Sequence, residues 1–74
     1  MNDKDSSFVV CLCNEGYLAS LEPRKIYRRL RDSKIEADGD MRVIDESGED
    51  YIYPARFFEP IDLPQTVQRV VLAH

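Results

Sequence analysis

The chain has 74 residues, which allow one domain with a small core. Its 43% hydrophobic and 32% charged residues are typical of a folded, water-exposed protein, and no apolar run approaches the roughly 20 residues that span a membrane. The net charge of −4 argues against broad phosphate binding, and the polar, acidic start predicts a cytoplasmic protein.

The first strong element is an apolar strand. Residues 1–6 are polar and predicted to form a disordered tail, whereas Phe8 to Cys13 is apolar on both faces and predicts a buried strand. Cys11 and Cys13 share a face of this strand, a spacing that does not easily meet disulfide geometry. We therefore expect free thiols in a reducing compartment. Residues 17–23 then predict a long loop.

The segment 24–31 fits two structures. As a helix, it places Ile26, Tyr27 and Leu30 on one face. As a strand, it points Ile26 and Leu30 inward, makes Arg28 an inward exception, and points four residues outward: Lys25, Tyr27, Arg29 and Arg31. We predict the strand, because the segment follows a buried strand and precedes a strand pair.

A polar connector at 33–40 leads into a hairpin. Gly39 is expected to take a positive φ at its end. The hairpin strands are predicted at 41–44 and 51–53, with Gly48 in the special backbone position of the turn between them.

Prolines organise the rest of the chain. A proline-led 3₁₀ turn is predicted near 54–58, and 59–61 closes the domain as an edge strand, where proline is tolerated. Asp62 is the predicted N-cap of a short helix near 63–73, within a C-terminal segment 63–74. Its apolar stripe consists of Val67, Val70 and Val71. We expect this helix either to cover one mouth of a barrel or to pair with another chain.

These elements predict a mainly β fold: a small barrel of about five short strands in a domain at 7–62. The run Tyr53-Pro54-Ala55-Arg56-Phe57-Phe58 resembles the segment that ends Src-homology-3 domains. The resemblance implies that Pro54 and Phe57 line a peptide groove, with Tyr17 from the early loop as a further member.

A second resemblance covers about residues 8–65. The stretches Val9 to Glu22, Lys25 to Arg28, Arg42 to Pro54 and Phe57 to Ile61 look like a set of small uncharacterised bacterial and phage proteins. Those relatives are expected to be Src-homology-3-like barrels. The resemblance implies a strand at 28–31 and carries over no activity.

The residues that catalysis would need are poorly placed. A nucleophile requires a nearby base, but Cys11 lies in an apolar strand and His74, the single histidine, is the last residue. Ser47 lies in a turn with only carboxylates near it in sequence. We therefore predict no enzyme activity, no cofactor and no metal site.

Two binding hypotheses remain. The leading one is a protein-interaction module in which an aromatic groove or an edge strand takes a protein or peptide segment. Its candidate residues are Tyr17, Tyr51, Tyr53, Pro54 and Phe57. The alternative is a nucleic-acid-binding barrel that uses the basic window, defined by Arg24, Lys25, Arg29 and Arg31. An acidic turn at 45–50 either neutralises this window or leaves it exposed, and the sequence leaves that choice and the oligomeric state open.

Overall fold

The structure, a computed structural model, describes residues 6–72, with side chains from 7 to 70. It is mainly β. The elements in chain order are β1 (Ser6–Cys11), β2 (Ile26–Leu30), α1 (Ser33–Ala37), β3 (Asp40–Ile44), β4 (Asp50–Pro54), a 3₁₀ turn (Ala55–Phe57), β5 (Phe58–Ile61) and α2 (Gln65–Leu72).

The strands form one antiparallel sheet in the order β4-β3-β2-β1-β5. Five strands and the 3₁₀ turn are confirmed, but the first strand ends at Cys11 rather than at the predicted Cys13, and Leu12 is exposed. A closed barrel is not confirmed, because β4 and β5 form the two edges and do not pair with each other. The sheet is nevertheless curved, since Tyr53 on β4 and Phe58 on β5 bring their ring centroids within 6.1 Å of each other.

One face of the sheet carries the core. Cross-strand partners share a face, and the pair Val9–Tyr27 defines the buried one. Leu21, from the long loop, and Phe57, from the 3₁₀ turn, close over this face. The buried core cluster is Val9, Cys11, Leu21, Tyr27, Met41, Val43, Tyr53, Phe57 and Phe58.

Strand β2 is confirmed, but the predicted orientation of its side chains is wrong. Tyr27 points into the core and is only 5% exposed, whereas Ile26 and Leu30 are half-buried on the opposite face. A shift of one residue in the pairing register turns every side chain of a strand to the other face of the sheet. The local sequence does not decide which face becomes buried. Arg28 lies on the opposite face beside Phe8, and its Nε is buried with no hydrogen-bond partner among the described residues.

Helix α1 lies where a connector was predicted. Asp32 caps it: its carboxylate accepts a hydrogen bond from the Ile35 amide at 3.3 Å, and Glu36 accepts one from the Asp32 amide at 3.1 Å. This reciprocal arrangement resembles a capping box, with the returning carboxylate at the fourth helical position rather than the third. The signal was present in Asp32-Ser33-Lys34-Ile35-Glu36.

The chain ends differ slightly from the prediction. Strand β1 already includes Ser6, which was assigned to the disordered tail; residues 1–5, 73 and 74 lie outside the described part. The C-terminal helix begins at Gln65 rather than 63, and the Pro64 carbonyl accepts from the Gln68 amide at 3.0 Å. The predicted N-cap Asp62 is therefore wrong, because Pro64 occupies that position. Within residues 6–72, neither helix has the length and apolar character needed to cross a membrane.

Candidate functional site

The long loop between β1 and β2 is fastened to the turn of the β3–β4 hairpin. The Glu46 amide donates to the Ser20 carbonyl at 3.0 Å, and the Glu46 carboxylate pairs with Lys25 Nζ at 2.7 Å. Tyr27 adds a third tie, because its hydroxyl donates to Glu46 and accepts from the Glu22 amide at 2.8 Å. The loop is thereby held against the hairpin.

Two acidic side chains of the turn are kept ionised by these contacts. Hydrogen bonds from Lys25 and Tyr27 lower the pKa of Glu46. Burial acts to raise the pKa of Asp45, but hydrogen bonds from Ser47 and Tyr53 outweigh it and hold the pKa below its usual value. The Tyr53 hydroxyl donates to Asp45 Oδ2 at 2.6 Å; burial first, and this bond second, raise the pKa of Tyr53 to about 12.

The fastened loop brings four predicted aromatic residues together. Tyr17 lies at their centre, and its ring centroid is 4.8 Å from that of Tyr53, 6.0 Å from Phe57 and 6.4 Å from Tyr51. All three pairs are edge-to-face, the arrangement that the charge distribution of aromatic rings favours. Residues that are distant in sequence therefore form one continuous surface.

This surface has a buried floor and an exposed rim. Tyr53 and Phe57 are 1% and 4% exposed, so they belong to the core and support the rings above them. Tyr17 is half-buried, whereas Tyr51 is 56% and Leu18 is 79% exposed. We call Tyr17, Leu18 and Tyr51, with their floor of Tyr53 and Phe57, the aromatic patch. Leu18 was not among the predicted site residues, although its place after the Gly16-Tyr17 turn was a usable signal.

The margins of the aromatic patch are shallow. Pro54 is half-buried at the end of β4, and the Arg56 guanidinium carbon lies 5.2 Å from the Phe57 ring centroid. On the other side, residues 15–20 line an open depression of the surface. A shallow apolar surface is suited to an extended or apolar protein segment rather than to an enclosed small molecule.

Most of the basic window is neutralised. Lys25 pairs with Glu46, and a second carboxylate, Glu36, lies 3.8 Å from Arg29 and 3.9 Å from Arg31. Arg24 has no ion pair among the described residues. Tyr27, which stands between Lys25 and Arg29 in the sequence, lies in the core and offers no exposed ring beside these cations.

The two cysteines differ in their surroundings. Burial raises the pKa of the Cys11 thiol, which disfavours the thiolate that a nucleophile or metal ligand needs. Both cysteines are free, as predicted, with Cys11 buried and Cys13 half-buried. No group of three potential metal-ligating side chains converges anywhere in the part of the chain that the structure describes.

Comparison with protein-family models, curated proteins and solved structures found no match.

Proposed function

We propose that the protein is a non-catalytic binding module whose aromatic patch takes an apolar segment of another protein or peptide. The supporting observation is that Tyr51, whose ring contacts Tyr17, and Leu18, which follows Tyr17 in the chain, both expose large apolar side chains beside a floor of buried core rings. Aromatic and aliphatic groups that are exposed over a packed support are typical of binding hot spots, because they bury much area with little loss of conformational freedom.

The charges around the aromatic patch indicate the kind of segment that fits. Glu15 and Glu49 are exposed along its margins, whereas Asp50 points to the opposite face of the sheet and pairs with Arg42 at 2.6 Å. The Arg56 guanidinium lies against the Phe57 ring of its floor. A segment with one or two large apolar residues followed by a basic residue would match this distribution.

The arrangement of elements supports a finer proposal about the fold. A long loop after the first strand, a hairpin, and a 3₁₀ turn between the last two strands agree with the resemblance to Src-homology-3 domains. We propose that the curved sheet is an opened relative of that barrel. Its binding surface then uses Tyr17 as the resemblance implies, but has Phe57 as a support beneath the surface.

The test is a selection from a random peptide library on the purified protein, followed by calorimetric titration of the recovered peptides. Leu18→Ser and Tyr51→Ser should each weaken binding by roughly tenfold or more, the loss expected when a hot-spot side chain is removed. Val70→Ser is the matched control, because Val70 is an aliphatic residue of similar exposure in α2.

Equal binding by the wild type, Leu18→Ser and Tyr51→Ser would overturn the proposal. So would amide chemical-shift changes confined to residues outside the aromatic patch. All variants should be folded, since the substituted side chains lie largely in solvent.

A further inference from the structure

The two edges of the sheet differ in their backbone chemistry. At the β5 edge, the Leu12 amide donates to the Phe57 carbonyl at 2.7 Å, which fixes the alternation of the β1–β5 ladder and turns the amides of Phe58 and residue 60 outward. Pro60 has no amide hydrogen, and the Phe58 amide donates to the Ala55 carbonyl. The β5 edge therefore has no free donor with which to bind another strand.

The β4 edge is open. The Asp45 amide bonds the Glu49 carbonyl at 3.1 Å, and the Ala55 amide bonds the Gly39 carbonyl at 3.0 Å, at opposite ends of the β3–β4 ladder. Hydrogen-bonded pairs alternate along an antiparallel ladder, and both of these bonds fall on odd-numbered residues of the second strand. Tyr51 and Tyr53 therefore bond to β3. Residues 50 and 52 direct their amides and carbonyls away from it.

The outward-facing amides of β4 have no hydrogen-bond partner among the described residues. The amides of Asp50 and Ile52 have no acceptor among the described residues, and both residues are exposed. Pro54 has no amide hydrogen, and as the N-cap of the 3₁₀ turn its carbonyl already accepts a bond from that turn. The free groups of the edge are thus two donors and two acceptors, on Asp50 and Ile52, an arrangement that can pair with a further strand.

We propose that the β4 edge binds the β4 edge of a second copy of this chain, antiparallel, with the two-fold axis at Ile52. In that register Ile52 of each copy exchanges two hydrogen bonds with Ile52 of the other. The Asp50 amide of each copy faces the Pro54 carbonyl of the other, where it can use the lone pair that the 3₁₀ turn leaves. Two full bonds at the axis are therefore flanked by two shared ones. The missing amide of Pro54 leaves the Asp50 carbonyl at the rim, where water can reach it.

The side chains agree with this self-pairing. Ile52, 36% exposed, would lie directly against Ile52 of the second copy on the sheet face opposite the core. On the core face, Tyr51 would be the cross-strand neighbour of Tyr53 of the second copy, so that the exposed Tyr51 ring lies at the seam between the two aromatic patches. Glu49, at one end of β4, would approach the end that carries Arg56, so the two-fold brings these opposite charges together twice, while Asp50 keeps its pair with Arg42 at 2.6 Å.

Self-pairing goes beyond the proposed function, because it joins the two sheets and sets the two aromatic patches side by side. The dimer proposal does not depend on the proposed peptide binding, because it is argued from backbone groups of β4 rather than from Leu18 or Tyr17. The interface is small, and we expect a weak dimer that forms with increasing concentration.

Sedimentation velocity of the full chain up to about 1 mM tests the proposal. Ile52→Pro removes the outward amide without breaking a bond to β3, and should weaken the dimer roughly tenfold or more. Ile52→Lys and Ile52→Glu should each be monomeric, because like charges meet at the axis, whereas their mixture should again form dimers.

Val67→Lys is the matched control, as Val67 is an aliphatic residue of nearly equal exposure in α2, and it should dimerise like the wild type. A wild type that stays monomeric across this range would overturn the proposal. A mixture of the two folded, oppositely charged variants that remains monomeric would overturn it as well, whether or not Ile52→Pro folds.

Discussion

Arg24 has an unusual backbone for its residue type. Its φ of 73° lies in the left-handed region, and it is the one non-glycine residue there among those described. Its amide donates to the Cys11 carbonyl at 2.7 Å, so the loop must turn at this point to rejoin β1. A side chain with a Cβ in this region costs of order 1–3 kcal/mol, and here the surrounding hydrogen bonds maintain it.

We expect Arg24→Gly to stabilise the protein by up to about 1 kcal/mol, since glycine removes the Cβ clash but adds freedom to the unfolded chain. Urea unfolding measures the change. Arg24→Ala removes the same long side chain but keeps the Cβ, so it should not be stabilising. Equal gains from both substitutions would mean that the charge of Arg24, and not its backbone, was the cause.

At the scale of elements, the Tyr27 hydroxyl connects three parts of the fold. It belongs to β2, accepts from the Glu22 amide in the long loop, and donates to Glu46 in the hairpin turn. Since Tyr17 and Leu18 are carried by the same loop, this contact also helps to position the aromatic patch.

Tyr27→Phe should therefore lower the free energy of unfolding by about 1–2 kcal/mol, because the ring still fills the core while the Glu22 amide loses its acceptor. The midpoint of urea denaturation reports this loss. Tyr51→Phe is the matched control: its ring is largely exposed and its hydroxyl makes no hydrogen bond among the described residues, so the midpoint should stay unchanged. If the midpoint for Tyr27→Phe equals that of the wild type, the hydrogen bonds of the Tyr27 hydroxyl do not stabilise the fold.

At the scale of the whole molecule, three acidic residues make the free energy of unfolding depend on pH. The pKa values of Asp32, Asp45 and Glu46 are all lowered in the folded protein; for Asp32 the amide of Ile35 is the main cause. In the pH range between the folded and the unfolded pKa values, the unfolded chain binds more protons than the folded one. Lowering the pH through this range therefore favours unfolding.

We predict that these three residues stabilise the fold fully above about pH 5. The free energy of unfolding should decline as the pH falls below about 4 and passes through their lowered pKa values. Urea midpoints measured across this range provide the test. Glu46→Gln should flatten part of the decline, because it removes one of the three linked groups. A free energy of unfolding that is constant down to about pH 3 would show that these contacts do not stabilise the fold.

The aromatic patch was partly predictable. Tyr17, Tyr51, Tyr53 and Phe57 were all named from sequence, because aromatic residues in separate segments of a small β protein must share one limited interior or surface. Their division into floor and rim was not predictable, since it depends on the curvature of the sheet. The pairing of Arg29 and Arg31 with Glu36 was missed together with α1, which positions that carboxylate.

The sequence by itself determined the local elements. The positive φ of Gly39 and Gly48 and the 3₁₀ turn after Pro54 follow from the preferences of single residues and short patterns. The extended backbone of β2 was predicted from the order of the neighbouring elements. Only the tertiary structure decided that Tyr27 points inward, that β4 and β5 remain separate edges, and that the β4 edge keeps its free amides. Each of these depends on the register between strands, which is set by contacts among residues far apart in the chain.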